Sequence, residues 1–227
     1  YLQTADMPIV VKADGLALGK GVLICPDRES AVEAVASMMK EAKFGASGAR
    51  VVIEEFLTGP EVSVLAFTDG KTVKPMVSSM DHKRALDHDE GLNTGGMGAY
   101  SPAPVVTPEI HKRVMERIIY PTVQGMAAEG NVYTGFLYAG LMIDAAGNPK
   151  VIEFNCRFGD PETQPIMMRM QSDLVELCLA GCAGKLDEKE AVYDSRAAVG
   201  VVLAAANYPG EPQKGDVIAG LDADIGA

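Results

Sequence analysis

Short, largely apolar runs recur in this chain in pairs, each pair separated by a segment rich in Gly, Ala or Pro. Pro8 to Val11 precedes Val22 to Cys25 across Lys12-Ala-Asp-Gly-Leu-Ala-Leu-Gly-Lys-Gly21. Arg50 to Phe56 precedes Val62 to Phe67 across Leu57-Thr-Gly-Pro60, and Phe136 to Asp144 precedes Lys150 to Asn155 across Ala145-Ala-Gly-Asn-Pro149. Such runs read as strands and such segments as turns, the last pair as an antiparallel hairpin. Helical spacing appears between them. Ala31, Val32, Val35, Met38 and Met39 form one stripe, with Ser30 and Glu33 as a capping box. Thr107-Pro108 opens a second helix with Ile110, Val114 and Ile118 as its stripe, and Ser172 to Ala183 is a third. The pattern predicts an α+β fold with mainly antiparallel sheets. Val73 to Ser79 reads as one more strand, and Asp81 to Pro104 as a long functional loop.

Size and charge narrow the function classes. At about 150 residues per domain, 227 residues make one large or two small domains. A break near residue 67 and a change of texture at Ala197 predict modules over 1–67 and 68–196, with 197–227 beginning another unit. Twenty Lys and Arg against 31 Asp and Glu leave a formal net charge of −11. The cations are scattered, so no basic face exists to neutralise a nucleic-acid backbone. No apolar run approaches the roughly 18 residues of a membrane span, and the chain opens without a signal-peptide pattern, so a cytoplasmic protein is expected. Cys25, Cys156, Cys178 and Cys182 form no CxxC pair and read as buried, reduced thiols.

Four segments could carry chemistry. Lys12 to Gly21 sets Gly15, Gly19 and Gly21 between and beside Lys12 and Lys20, which suits either a phosphate clamp or a tight hairpin. Glu54, Glu55, Phe56 and Leu57, with Glu61 just beyond, place adjacent carboxylates on opposite strand faces, as ligand contacts or as ordinary surface. In Val151 to Arg157, period two puts Glu153, Asn155 and Arg157 on one face, an oxygen-rich set of the kind that holds Mg²⁺ with phosphates and water. Asp160 and Glu162 follow. The fourth runs from Asp81 through Lys83 and Arg84 to Asn93-Thr94-Gly95-Gly96-Met97-Gly98, where basic side chains and glycine turns suit an anionic substrate. His82 and His88 match no zinc spacing. A protein kinase is excluded because no HRD loop is present and Arg157 stands where that family needs Asp.

The joint order of Pro8 to Val22, Glu54 to Glu61, Asn93 to Pro102 and Glu153 to Pro165 resembles the phosphoribosylamine-glycine ligase family of ATP-grasp enzymes over essentially the whole chain. That resemblance implies an ATP-grasp fold, two α/β modules enclosing the nucleotide. It implies that Lys12 and the Gly15 to Gly21 loop, with Gly19 and Lys20, close over ATP phosphates. Glu54, Glu55, Phe56 and Leu57 would meet adenine and Glu61 the ribose. Glu153 and Asn155 would bind Mg²⁺, with Mn²⁺ as the alternative ion. Lys12 and Arg157 would be catalytic, while Asp81, Lys83, Asn93, Thr94, Gly95, Gly96, Met97, Gly98, Arg157 and Asp160 would shape the site for glycine and 5-phosphoribosylamine. Against that family the chain is expected to lack an amino-terminal substrate domain and most of a carboxy-terminal domain. Gly140 stands where many ATP-grasp enzymes carry an acidic metal ligand. Another ATP-grasp carboxylate-amine ligase and a non-catalytic nucleotide-binding module are the competing readings.

Overall fold

The computed structural model describes residues 1–17 and 21–223, and the chain divides into two units, Tyr1–Thr58 and Gly59–Ala227. In the first, β1 (Ile9–Ala13) is the centre of an antiparallel sheet between β2 (Val22–Cys25) and β3 (Val51–Glu55). Alternation along β1 and β2 sends Ile9, Val11 and Cys25 to one face. There they pack on Ala31, Ala34 and Met38 of α1 (Arg28–Met39). Each large side chain so buried is worth about 1.5–3 kcal/mol. The cap of α1 differs from the expected Ser30 and Glu33: Asp27 takes the cap position, accepting from the Ser30 N–H at 2.8 Å. With the helix starting earlier, the stripe is Ala31, Ala34 and Met38, and Val32 and Met39 are exposed.

The second unit is built on a four-stranded sheet of β4 (Glu61–Thr68), β5 (Val73–Pro75) and two later strands, β10 (Gly135–Ile143) and β11 (Pro149–Asn155), in the order β11-β10-β4-β5. The expected break at 67/68 falls instead at Thr58/Gly59. β4 pairs along its whole length with β10 (Gly135–Ile143), from Glu61 opposite Met142 to Thr68 opposite Gly135, so it belongs to the second unit. The expected loop from Asp81 to Pro104 holds four short strands: β6 (Met80–Asp81), β7 (Arg84–Leu86), β8 (Glu90–Asn93) and β9 (Gly98–Ser101). Helix α2 (Pro108–Val114) runs through one π turn into α3 (Tyr120–Ala128). The hairpin partner of β10 is β11 (Pro149–Asn155), as expected, followed by α4 (Thr163–Arg169), α5 (Leu174–Cys182) and β12 (Ala198–Val201). β12 pairs with β9, from Ala198 opposite Ser101 to Val201 opposite Gly98.

The two faces of the large sheet are covered differently. Val62, Val64, Ala66, Leu137, Ala139 and Leu141 pack on Val114 of α2, Ile119 of the π turn and Val123 of α3. On the opposite face Leu65 and Tyr138 meet Ile166 of α4, and Phe67 stacks on Phe136 at 4.5 Å beside Leu177 of α5. Strand β4 is therefore buried on both sides. Helix α4 carries Pro165 in its first turn, where a missing N–H leaves no intrahelical bond unmade. Of the four thiols, all free, Cys25 is buried as expected, while Cys156 and Cys182 are exposed. No helix among the described residues is long and apolar enough to cross a membrane.

Candidate functional site

In the first unit the face of the sheet turned away from α1 carries Val10, Lys12, Val22, Ile24, Val52 and Glu54 by strand register. Ile24 is 62% exposed on this face, and Val22 and Val52 are also open. Lys12 Nζ is ion-paired with Glu54 Oε2 at 2.5 Å. An exposed apolar platform edged by a cation and a carboxylate is thus in place. Glu55 alternates to the other face, and Phe56 and Leu57 lie beyond the end of β3, so the four-residue set expected to act together is split. Gly15 is held against the Gly45–Gly48 turn: its N–H donates to Ser47 O at 3.0 Å, and a Cβ there would come within 2.6 Å of Ser47 Cα. Gly21 O accepts from Ala13 N–H at 2.8 Å, closing the base of the loop. Gly19 and Lys20 lie outside the described residues.

The second unit gathers more of the expected residues. Glu153 and Asn155 share one face of β11, and the Asn155 Nδ2 donates to Glu153 Oε1 at 3.0 Å. Arg157, expected on that face too, lies past the end of the strand. Its guanidinium donates to Phe158 O at 2.7 Å. Opposite Glu153 on β10 stands Gly140, where a Cβ would already be 3.4 Å from Glu153 Cγ and 3.5 Å from the Tyr138 ring. Gly140 therefore brings no ligand to the position facing Glu153. Two side-chain oxygens beside each other, with no soft donor, suit a hard cation that completes its shell with phosphate and water. Among the described residues no group of three or more His, Cys, Asp and Glu could hold a metal alone.

Lys83 is the cation of this region. Its ammonium is ion-paired with Glu61 at the start of β4. Burial pulls its pKa down, but Glu61, Asp81 and Glu153 together outweigh that, and the net shift is upward. Asp81 is the opposite case: burial, then the Glu162 carboxylate, push it up to about 7 against the pull of Lys83. Its Oδ1 is buried without a hydrogen-bond partner. The neutral acid is the form that folding favours, so Asp81 adds stability at low pH that is lost as pH rises through 7. Denaturant titrations of the wild type and Asp81→Asn are expected to show the wild type losing more stability between about pH 5 and about pH 8. Equal slopes would contradict the shift.

The glycine strap closes over this corner. Thr94 N–H and Oγ1 both donate to Lys83 O, at 2.7 and 2.9 Å, and Gly96 N–H donates to Thr94 Oγ1 at 2.9 Å. Gly96 has φ +120, and a Cβ there would collide with Pro161 and sit 2.9 Å from Asp81 Oδ1. Met97 N–H donates to His82 O, and Gly98 lies so near β12 that a Cβ would be 2.6 Å from Gly200 O. Gly95 N–H is accepted by Tyr208 OH at 2.8 Å, a contact no local pattern announces. Asn93 is exposed at the end of β8, and Asp160 is exposed, accepting from Gln164 Nε2 at 3.1 Å. Three residues that sequence reasoning did not assign stand behind the strap. Glu162, Ser63 and Tyr138 form a buried hydrogen-bonded triangle.

Residues 1–163 match the family model "Phosphoribosylglycinamide synthetase, ATP-grasp (A) domain". The chain belongs to this family. A phosphoribosylamine-glycine ligase from Pasteurella multocida is 63% identical over 225 residues, 99% of this chain and 52% of that protein. The ligase of that name from Escherichia coli K12 is 66% identical over 221 residues, 97% of this chain and again 52% of the relative. This member of the synthetase ATP-grasp family thus spans about half the length of the relatives it matches. The crystal structure of phosphoribosylamine-glycine ligase from Thermotoga maritima superposes with a TM-score of 0.84 at 38% identity, covering 93% of this chain and 53% of that one. The biotin carboxylase domain of Hydrogenobacter thermophilus 2-oxoglutarate carboxylase, solved with MgADP, shares the fold at a TM-score of 0.60 and 19% identity, over 86% of this chain and 41% of that one. The α+β ATP-grasp fold expected for the synthetase family is the fold observed.

Proposed function

We propose that the chain is the ATP-binding portion of a cytoplasmic phosphoribosylamine-glycine ligase, joining glycine to 5-phosphoribosylamine in purine biosynthesis. The observation that carries this reading is the gathering of Glu61, Asp81 and Glu153 around Lys83, beside Asn155 and under a glycine strap, in a member of this family. Its close relatives bear the ligase name, and a fold neighbour was solved with MgADP.

The chemistry fits the residues. A carboxylate is a poor acyl donor, so a glycine oxygen first attacks the terminal phosphorus of ATP, forming glycyl phosphate as the bond to ADP breaks. The amine of phosphoribosylamine then attacks the acyl carbon, phosphate leaves, and the nitrogen loses a proton. Charge on the transferring phosphoryl group must be offset by fixed cations. Lys12, Lys83 and Arg157 are the candidates in this chain. Glu153 and Asn155 would hold Mg²⁺, with Mn²⁺ as the alternative, and the ion would supply further neutralisation of phosphate charge. Glu61 would accept from ribose hydroxyls, and the apolar platform of Val22, Ile24 and Val52 suits the flat face of adenine. The second step depends on holding amine and acyl phosphate together away from water, which the strap and the Arg157 turn would do.

Calorimetric titration of ATP with Mg²⁺ into this chain is expected to show binding that Lys12→Ala weakens by about tenfold, since a charge-assisted phosphate contact is lost. Unaltered affinity in that variant would remove Lys12 from the phosphate site.

A further inference from the structure

Glu162 precedes α4 and is 2% exposed. Its Oε1 accepts from Ser63 Oγ on β4 at 2.8 Å and from Tyr138 OH on β10 at 2.7 Å, and those two hydroxyls are themselves 2.7 Å apart. A buried carboxylate is costly unless satisfied, so these bonds fix its position against the two central strands. Burial, more than any other cause, raises the Tyr138 phenol, which keeps it a donor. Two loops then lean on Glu162. A Cβ at Gly159 would collide with the Glu162 carboxylate, and Thr163 Oγ1 and N–H both donate to Gly159 O, so the turn from Arg157 to Pro161 is closed upon it. Pro161 in turn fills the space under Gly96, where no side chain could fit, and so seats the Thr94 to Gly98 strap.

We propose that Glu162 is a positioning residue for the two amine substrates. It anchors the Arg157 turn directly and the glycine strap through Pro161, next to the strand that carries Glu153 and Asn155. What the two loops bind rests on the reaction proposed above; the anchoring itself does not. The hydrogen bonds to Ser63 and Tyr138 need an acceptor oxygen rather than a charge, so a glutamine should replace Glu162 where an alanine cannot.

The test has two arms. In this chain, amide hydrogen exchange at Gly96 and Thr163 is expected to accelerate by at least about tenfold in Glu162→Ala and to return within about threefold of the wild type in Glu162→Gln. In the full-length protein, Glu162→Ala should raise KM for glycine by about tenfold while KM for ATP stays within about twofold, again with recovery in the glutamine variant. Tyr138→Phe removes one donor, keeps the ring, and should give the same pattern at smaller size if the alanine variant does not fold. Unchanged exchange at both amides overturns the anchor. A rise in KM for ATP equal to that for glycine overturns the positioning role. Accelerated exchange in Glu162→Ala, together with ATP turnover by the wild-type protein that ignores glycine, supports the anchor and overturns the reaction reading joined to it.

Discussion

Glu153→Ala is expected to abolish most of the Mg²⁺ dependence of ATP binding. Of the two oxygen-bearing side chains adjacent on this face of β11, Glu153 carries the charge, and Gly140 across the ladder offers no substitute ligand. A cation that keeps several waters and takes the rest of its shell from phosphate depends heavily on each protein carboxylate, so a loss of at least about tenfold in Mg²⁺-dependent affinity is predicted. Asn155→Ala should cost less, because it removes a neutral donor. Calorimetry with and without Mg²⁺ reads both. If Glu153→Ala retained the full difference between the two conditions, the metal would be held elsewhere. Loss of the carboxylate also removes a negative charge that repels the phosphates when no cation lies between them, so metal-free binding of ATP should change little or improve.

Gly59→Ala is expected to be the most destabilising small substitution in the second unit, by about 2–4 kcal/mol. Gly59 has φ +134, and a Cβ there would collide with Ile143 O, a backbone atom that cannot rotate away. Next to it Ile143 N–H donates to Pro60 O at 3.1 Å, so the turn is tied to the end of β10 and relief would require breaking that bond. Gly130 is the control. Its φ of +81 is also left-handed, but nothing lies within 4 Å of the added carbon, so Gly130→Ala should cost only about 1–2 kcal/mol of backbone strain. Denaturant midpoints of the two variants separate collision from strain. Equal losses would mean that the Gly59 contact relaxes without cost.

Strands and the local site were legible to different degrees. The hairpin of β10 and β11 and the helix opening at Thr107 followed from periodicity and capping chemistry, which act within a few residues. The boundary at Thr58 did not, because β4 looks like the partner of β3 when only the short turn between them is seen. Its true partner, β10, lies about 70 residues on, and only the sheet reveals it. Glu153 and Asn155 were readable because alternation alone puts them on one face. Arg157 broke that rule, since the strand stops at Asn155 and nothing in the alternation marks the stop. Ser63 and Tyr138 carried no signal: each sits in an apolar run where a hydroxyl reads as tolerated core. Their meaning depends on Glu162, 99 residues from Ser63 along the chain. Asp81 drew attention as one charge in a charged loop, whereas its raised pKa comes from burial and Glu162 and appears only once the strap is folded over it.

The central claim is that this fold serves the joining of glycine to an amine at the expense of ATP. ADP release by the full-length protein, measured with phosphoribosylamine present and with glycine added, omitted or replaced by alanine, tests it most directly. ADP release is predicted to require glycine, to fail with Lys12→Ala and Glu153→Ala, and to yield one glycinamide ribonucleotide for each ADP. Release that is indifferent to glycine, or that another carboxylate supports as well, would contradict the claim and point to a different carboxylate-amine ligase on the same fold.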